Sequence, residues 1–151
     1  AASLKIGARL GGASVEDADR LYDFGMHIGV AFQLKDDLLD VYGDPAVFGK
    51  NIGGDILCNK KTYMLIKALE RADRDQLEGL NHWLSATSFC PEEKISAVTE
   101  LYTQIGIKAV CENKMREYYT RAMTSLGAVS VIEDKKSELK KLMKHLMYRE
   151  M

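Results

Sequence analysis

Three aspartates, Asp36, Asp37 and Asp40, interrupt an otherwise apolar run from Ile28 to Tyr42. On an α-helix, at about 100° per residue, Gln33, Asp36, Asp37 and Asp40 fall within an arc of about 100°. Lys35 points the other way, and Val30, Ala31, Phe32, Leu34, Leu38, Leu39 and Val41 make up the remaining surface. A helix that is apolar nearly all round is a buried one, so three acids on one stripe need something to face. Close carboxylates repel by about 1 kcal/mol per pair in water and by several times that near protein. Their oxygens suit a hard cation such as Mg²⁺, whose remaining positions go to waters and substrate phosphates. The stripe therefore predicts a metal and phosphate site. The competing reading is the solvated face of an amphipathic helix. Gly29 and Gly25 lie near the same stripe one and two turns earlier, each at a cost of about 1 kcal/mol relative to Ala. They leave room either for a ligand or for a neighbouring backbone.

The segment after this helix adds phosphate-binding chemistry. Phe48-Gly49-Lys50-Asn51-Ile52-Gly53-Gly54-Asp55 combines three glycines, a lysine and an acid, and leads through Asn59-Lys60-Lys61-Thr62 into the next helical pattern. Backbone amides of Gly-rich turns and of a helix start favour anions, and lysines meet phosphate as mobile point charges. Taken alone, the loop reads equally as an ordinary turn with solvated lysines. Beside the acidic stripe, it completes the inventory for holding a diphosphate through Mg²⁺ and lysine together.

The elements that must position these groups all have a helical period, and no strand alternation is present. Ala1–Leu10 reads as the second half of a helix, stopped by Gly11-Gly12. Ser14, with Asp17 three residues on, predicts the N-terminus of a long helix reaching Tyr42. Gly43-Asp44-Pro45 ends it, and Ala46–Asn59 reads as a Gly-rich loop. Further helices are expected over Lys61–Ala72, Asp75–Ser85, Pro91 to Gly106, Ile107 to Leu126, and Lys135–Arg149, with Pro91 at the first-turn position it tolerates. The 151 residues carry 46% hydrophobic residues and a net charge of −1. They predict one all-α globular domain with no basic field to recommend nucleic acid. No apolar stretch approaches the roughly 20 residues of a membrane span. Cys58, Cys90 and Cys111 are odd in number and lack metal-ligand spacing, which suggests reduced thiols in a cytoplasmic protein. Cys58 has no evident base beside it, and His27, off the acidic stripe, reads as structural.

Phe32-Gln33-Leu34-Lys35-Asp36-Asp37-Leu38-Leu39-Asp40-Val41, then Gly43-Asp44-Pro45, Phe48-Gly49-Lys50, Gly53-Gly54-Asp55-Ile56 and Asn59-Lys60-Lys61-Thr62, resemble the trans-isoprenyl diphosphate synthases. Short-chain members include the farnesyl and geranylgeranyl diphosphate synthases. Leu4-Lys5-Ile6-Gly7-Ala8 and Gly11-Gly12-Ala13-Ser14 share the likeness, which is good over Ala1–Leu69 and looser to Arg149. The resemblance implies the C-terminal part of an all-helical bundle, about seven helices by the periodicity above. It also implies Mg²⁺-dependent condensation of an allylic diphosphate with isopentenyl diphosphate, in an enzyme that works as a homodimer. Mapped by motif, Asp36 is the direct Mg²⁺ ligand, Asp37 and Asp40 act beside it or through metal-bound water, and Asp55 holds a water of the same ion. Lys50 and Lys60 pair with the allylic diphosphate, Gln33 faces the reacting centre, and Phe32 lies against the isoprenoid or packs in the core. Lys50 and Gln33 are thus the residues placed at the chemistry itself.

Members of this family carry two Asp-rich motifs on facing helices, and only the second is matched here. Residues 1–151 are accordingly expected to be the C-terminal portion of a larger synthase, inactive or nearly so alone, with uncovered apolar faces that favour self-association. Two other readings stand beside this one. The first is a non-catalytic helical subunit that keeps one metal–diphosphate site, and the second is a terpene cyclase-like enzyme. Tyr148-Arg149-Glu150 offers too little charge to serve as a basic tail over diphosphates.

Overall fold

The computed structural model describes residues 1–44 and 52–147. Lys50, Pro45 and the predicted helix end at Arg149 lie outside the described residues. Among the described residues the protein is all-α, with eight helices and no strand. They are α1 (Ala2–Leu10), α2 (Val15–Tyr42), α3 (Gly54–Leu57), α4 (Tyr63–Arg71), α5 (Arg74–Ser85), α6 (Pro91–Ile105), α7 (Ile107–Gly127) and α8 (Glu133–Met147). The eighth helix, against the seven expected, is α3, a single turn inside the segment read as loop.

Local chemistry explains most boundaries. Ser14 Oγ accepts the Asp17 amide at 3.1 Å, so α2 begins where the N-cap pattern placed it. Thr62 Oγ1 accepts the Leu65 amide at 3.2 Å to start α4. Asp73 and Gln76 form a reciprocal capping box at the head of α5, which therefore starts before Asp75. Gly106, at φ +77°, turns the chain from α6 into α7, the left-handed stop that glycine supplies.

The chain divides into two compact units. One comprises Ala1–Lys35 and the segment from Lys114 onward, and the other comprises Asp36–Asn113. In the first unit, Phe24, Ile28 and Ala31 of α2 pack with Ala122 and Leu126 of α7 and with Met143 and Met147 of α8. Here the two α2 glycines separate. A Cβ on Gly25 would lie 2.7 Å from the Ala1 Cα, whereas one on Gly29 would meet nothing within 4 Å. Gly25 is thus explained by close backbone approach.

In the second unit, α6 packs against α3, α4 and α5. Leu38, Leu39 and Val41 of α2 are buried here, as are Ile56, Met64, Leu65, Leu80, Val98 and Tyr102. Gly53 is the pivot of α3. At φ +84°, and with Ile95 side-chain carbons 2.7 Å from where a Cβ would stand, the position excludes any other residue without strain.

Candidate metal and diphosphate site

The last turns of α2 carry the acids into the second unit. Asp37 is buried, Asp40 half-buried and Asp36 exposed. Lys35, on another side of the helix, is buried. Gln33 is exposed and Phe32 half-buried, and both belong to the first unit. For Phe32 the observed surroundings are an apolar cavity of about 330 Å³, lined also by Phe24, Ile28 and Leu139.

Asp40 and Asp55 are joined through the backbone. The Asp55 amide donates to Asp40 Oδ2 at 2.9 Å, and the Gly53 amide donates to the Asp40 carbonyl at 2.6 Å. The end of α2 therefore caps the start of α3, which makes a helical turn of a segment whose composition alone reads as loop. Burial pushes the Asp40 carboxyl above the usual carboxylate range; the Asp55 amide opposes this, and the neighbouring Asp55 charge adds to it.

Lys60 closes the cluster. Its Nζ donates to Asp55 Oδ2 at 2.7 Å and to Asp37 Oδ1 at 3.0 Å. The two carboxylate side chains are 20% and 6% exposed, and the lysine is 44% exposed. The bond to Asp55, followed by that to Asp37, raises the Lys60 ammonium above its ordinary value, so it is a full cation at neutral pH. The structure thus brings Asp37, Asp40, Asp55 and Lys60 together. Asp36 forms no ion pair among the described residues. Cys111 is buried nearby, its thiol pushed up to about 12 by burial and then by the Asp37 charge, which rules it out as a thiolate nucleophile at neutral pH. His27 lies 3.5 Å from Ser125 Oγ, with its ring 6.0 Å from that of Tyr118.

Two carboxylates from separate helices that clamp one ammonium form a cation site by construction. Among the described residues, no group of three or more His, Cys, Asp and Glu is placed to hold a metal ion by itself, and Asp37 and Asp55 are the two carboxylates brought to one cation. That donor set fits Mg²⁺, which takes one or two carboxylates and keeps waters and phosphates. Sequence reasoning missed two participants, Asn59 as a turn residue and Lys94. The signal for Lys94 was its position on the α6 face that also carries Val98 and Tyr102.

Residues 1–102 match the Polyprenyl synthetase family. The chain belongs to that family. It is 40% identical over 106 residues to the short chain isoprenyl diphosphate synthase of Methanothermobacter thermautotrophicus, covering 70% of this chain and 32% of that protein. A crystal structure of a geranylgeranyl pyrophosphate synthase superposes with a TM-score of 0.85 at 32% identity, over 97% of this chain and 46% of that one. The geranylgeranyl pyrophosphate synthase of Corynebacterium glutamicum, complexed with isoprenyl diphosphate and magnesium, superposes at 0.83 with 31% identity, over 95% of this chain and 41% of that one. The chain therefore spans about a third of the curated relative and under half of the solved ones. As a polyprenyl synthetase family member it has the all-α fold expected of it. Among the described residues, no helix is long and apolar enough to cross a membrane.

Proposed function

We propose that this polyprenyl synthetase chain supplies one metal–diphosphate side of a short-chain isoprenyl diphosphate synthase. The reaction is the Mg²⁺-dependent head-to-tail condensation of an allylic diphosphate with isopentenyl diphosphate. The observation that carries the reading is the Asp37–Lys60–Asp55 bridge, a cation held between carboxylates of α2 and the α3 turn. A solved relative that binds isoprenyl diphosphate with magnesium supports it.

In this reading Asp36, Asp37, Asp40 and Asp55 hold Mg²⁺ directly or through water. When bound, the ion neutralises the charge that develops on the departing diphosphate. Lys60 and Lys50 bind the phosphate oxygens, so the allylic carbon–oxygen bond breaks toward preorganised positive charge. Gln33 orients the reacting centre and Phe32 packs against the isoprenoid, on the turn of α2 that precedes the acids. The isopentenyl double bond attacks the allylic carbon, and loss of a proton gives a product five carbons longer. Apolar surroundings keep water from capturing the cation. The same reading carries a homodimeric, cytoplasmic enzyme in which residues 1–151 form the C-terminal portion.

Mass-spectrometric product analysis tests it, with isopentenyl diphosphate, dimethylallyl or geranyl diphosphate, and Mg²⁺. The chain alone, with a single Asp-rich motif, is expected to bind diphosphate in a Mg²⁺-dependent way without turnover. Adding a segment with the first Asp-rich motif is expected to yield a product five carbons longer. Binding without turnover even then favours the non-catalytic subunit. Unchanged Mg²⁺ and diphosphate binding in Asp36→Ala would end the site assignment.

A further inference from the structure

Lys94 on α6 is 1% exposed, and among the described residues its ammonium pairs with no carboxylate. Its Nζ donates to Asn59 Oδ1 at 2.8 Å and lies 4.2 Å from the centroid of the Phe89 ring, within cation–π range. Burying a charge with so few partners is costly. On a face shared with the buried Val98 and Tyr102, methionine would fill the same space without that cost. Ordinary core packing therefore does not account for a lysine here.

What the lysine holds is unusual. Asn59 has φ +52°, the one positive value at a non-glycine residue among those described. The left-handed region costs an L-residue roughly 1–2 kcal/mol, and asparagine is among the few that tolerate it. The other end of its amide is held as well, since Nδ2 donates to the Leu84 carbonyl at 3.1 Å. The amide is thus clamped between α6 and the end of α5. The next residue is Lys60, whose amide donates to the Asp55 carbonyl at 2.9 Å and whose carbonyl accepts the Thr62 amide at 2.7 Å. With the backbone fixed on both sides, the left-handed step at Asn59 sets the direction in which the Lys60 side chain leaves the chain. That direction is toward Asp37 and Asp55.

We propose that Lys94 is a positioning residue for the diphosphate site: by gripping the Asn59 amide it fixes the left-handed turn that aims Lys60 at Asp37 and Asp55. The inference rests on the reading of that cluster as a metal–diphosphate site. It adds that a buried charge on α6, remote in sequence, determines how well the site's lysine is aimed. Asn59→Gly makes the separation on the backbone side. Glycine adopts the turn freely but offers Lys94 nothing to grip, so the turn is permitted and no longer enforced.

The test is calorimetric binding of inorganic diphosphate with Mg²⁺ to the whole chain, with a mutant cycle between positions 94 and 60. Lys94→Met is expected to weaken binding about tenfold, and to have no further effect in a Lys60→Ala background. Asn59→Gly is expected to weaken it to a similar degree. A merely structural Lys94 would give the same loss in both backgrounds, and that result, or wild-type affinity in Lys94→Met, overturns the proposal. ¹⁵N NMR of the Lys60 ammonium gives a second readout that needs no ligand. In the wild type its two carboxylate acceptors slow proton exchange, and Lys94→Met is expected to abolish that protection. If the wild type binds no magnesium diphosphate, the diphosphate reading fails. The ammonium signal then still decides whether Lys94 aims Lys60, and unchanged protection in Lys94→Met refutes it.

Discussion

Replacing Lys60 with methionine should change Mg²⁺ binding and magnesium diphosphate binding in opposite directions. In the free protein the ammonium makes hydrogen bonds of 2.7 and 3.0 Å to Asp55 and Asp37. Charge-assisted bonds contribute about 1.5–3 kcal/mol when shielded, but this lysine is 44% exposed, and exposed pairs contribute about 0.2–1 kcal/mol each. A net loss of about 1–2 kcal/mol follows for Lys60→Met, a fall in Tm of roughly 3–6 °C for a chain of this size. Mg²⁺ alone no longer competes with the ammonium for the two carboxylates, so its affinity should rise by about tenfold, or about 1.4 kcal/mol. Millimolar Mg²⁺ should then restore much of the lost Tm, because a ligand that binds only the folded state stabilises it by mass action. Magnesium diphosphate loses a phosphate contact and should bind about tenfold more weakly. Calorimetric titrations with MgCl₂, and with diphosphate at fixed Mg²⁺, measure both. Parallel weakening of the two, or no change in either, would refute the idea that lysine and metal share one site.

Two further predictions concern Asp40 in the site and the α2 glycines of the first unit. Asp40→Asn keeps an acceptor for the Asp55 amide and removes a carboxylate that burial has pushed to a raised pKa. Because the folded state holds that proton more tightly than the unfolded state, the wild-type penalty is absent below the ordinary carboxylate pKa and grows as pH rises through the folded one. The stability difference between Asp40→Asn and wild type should therefore grow in the variant's favour from acid toward neutral pH, while Mg²⁺ affinity falls; denaturant titrations along a pH series check both. Gly25→Ala and Gly29→Ala should move stability in opposite directions. The first would place a Cβ 2.7 Å from the Ala1 Cα, overpacking that costs about 1–3 kcal/mol. The second meets nothing within 4 Å and should gain up to about 1 kcal/mol of helix propensity, read from paired thermal melts.

The helices were legible because their signals are local. Ser14 with Asp17, Pro91 and Gly106 each act through a neighbour within four residues, and each sets a boundary of α2, α6 or α7. The acidic stripe was legible because periodicity places Asp36, Asp37 and Asp40 on one side of a run, Ile28 to Tyr42, whose remaining residues apart from Gln33 and Lys35 are not charged or amide-bearing. The α3 turn was not, because its cap comes from Asp40, 15 residues away. A loop rich in glycine carries no sign that a distant carboxylate will organise it. The pairing of Lys60 with Asp37, 23 residues away, and the grip of Lys94 on Asn59 from 35 residues away, are likewise tertiary. The resemblance places Lys60 at the diphosphate without its carboxylate partners, and Lys94 shows only as a lysine on an otherwise apolar face.

A lysine between these carboxylates, in place of a ready-made metal cage, suits the proposed function. Asp37 and Asp55 converge from separate helices, and without a cation their repulsion would oppose the packing of α3 beside α2. A closed cage would hold its ion with no open position for substrate. An ammonium on a flexible stem stabilises the paired carboxylates, and in the proposed function a divalent ion arriving with a diphosphate would compete with it for them. Released from the carboxylates, Lys60 would then be available to the phosphate oxygens. In that reading the same side chain would serve both the fold and the ligand. Its aim at Asp37 and Asp55 is set, on the proposal above, by the left-handed turn at Asn59.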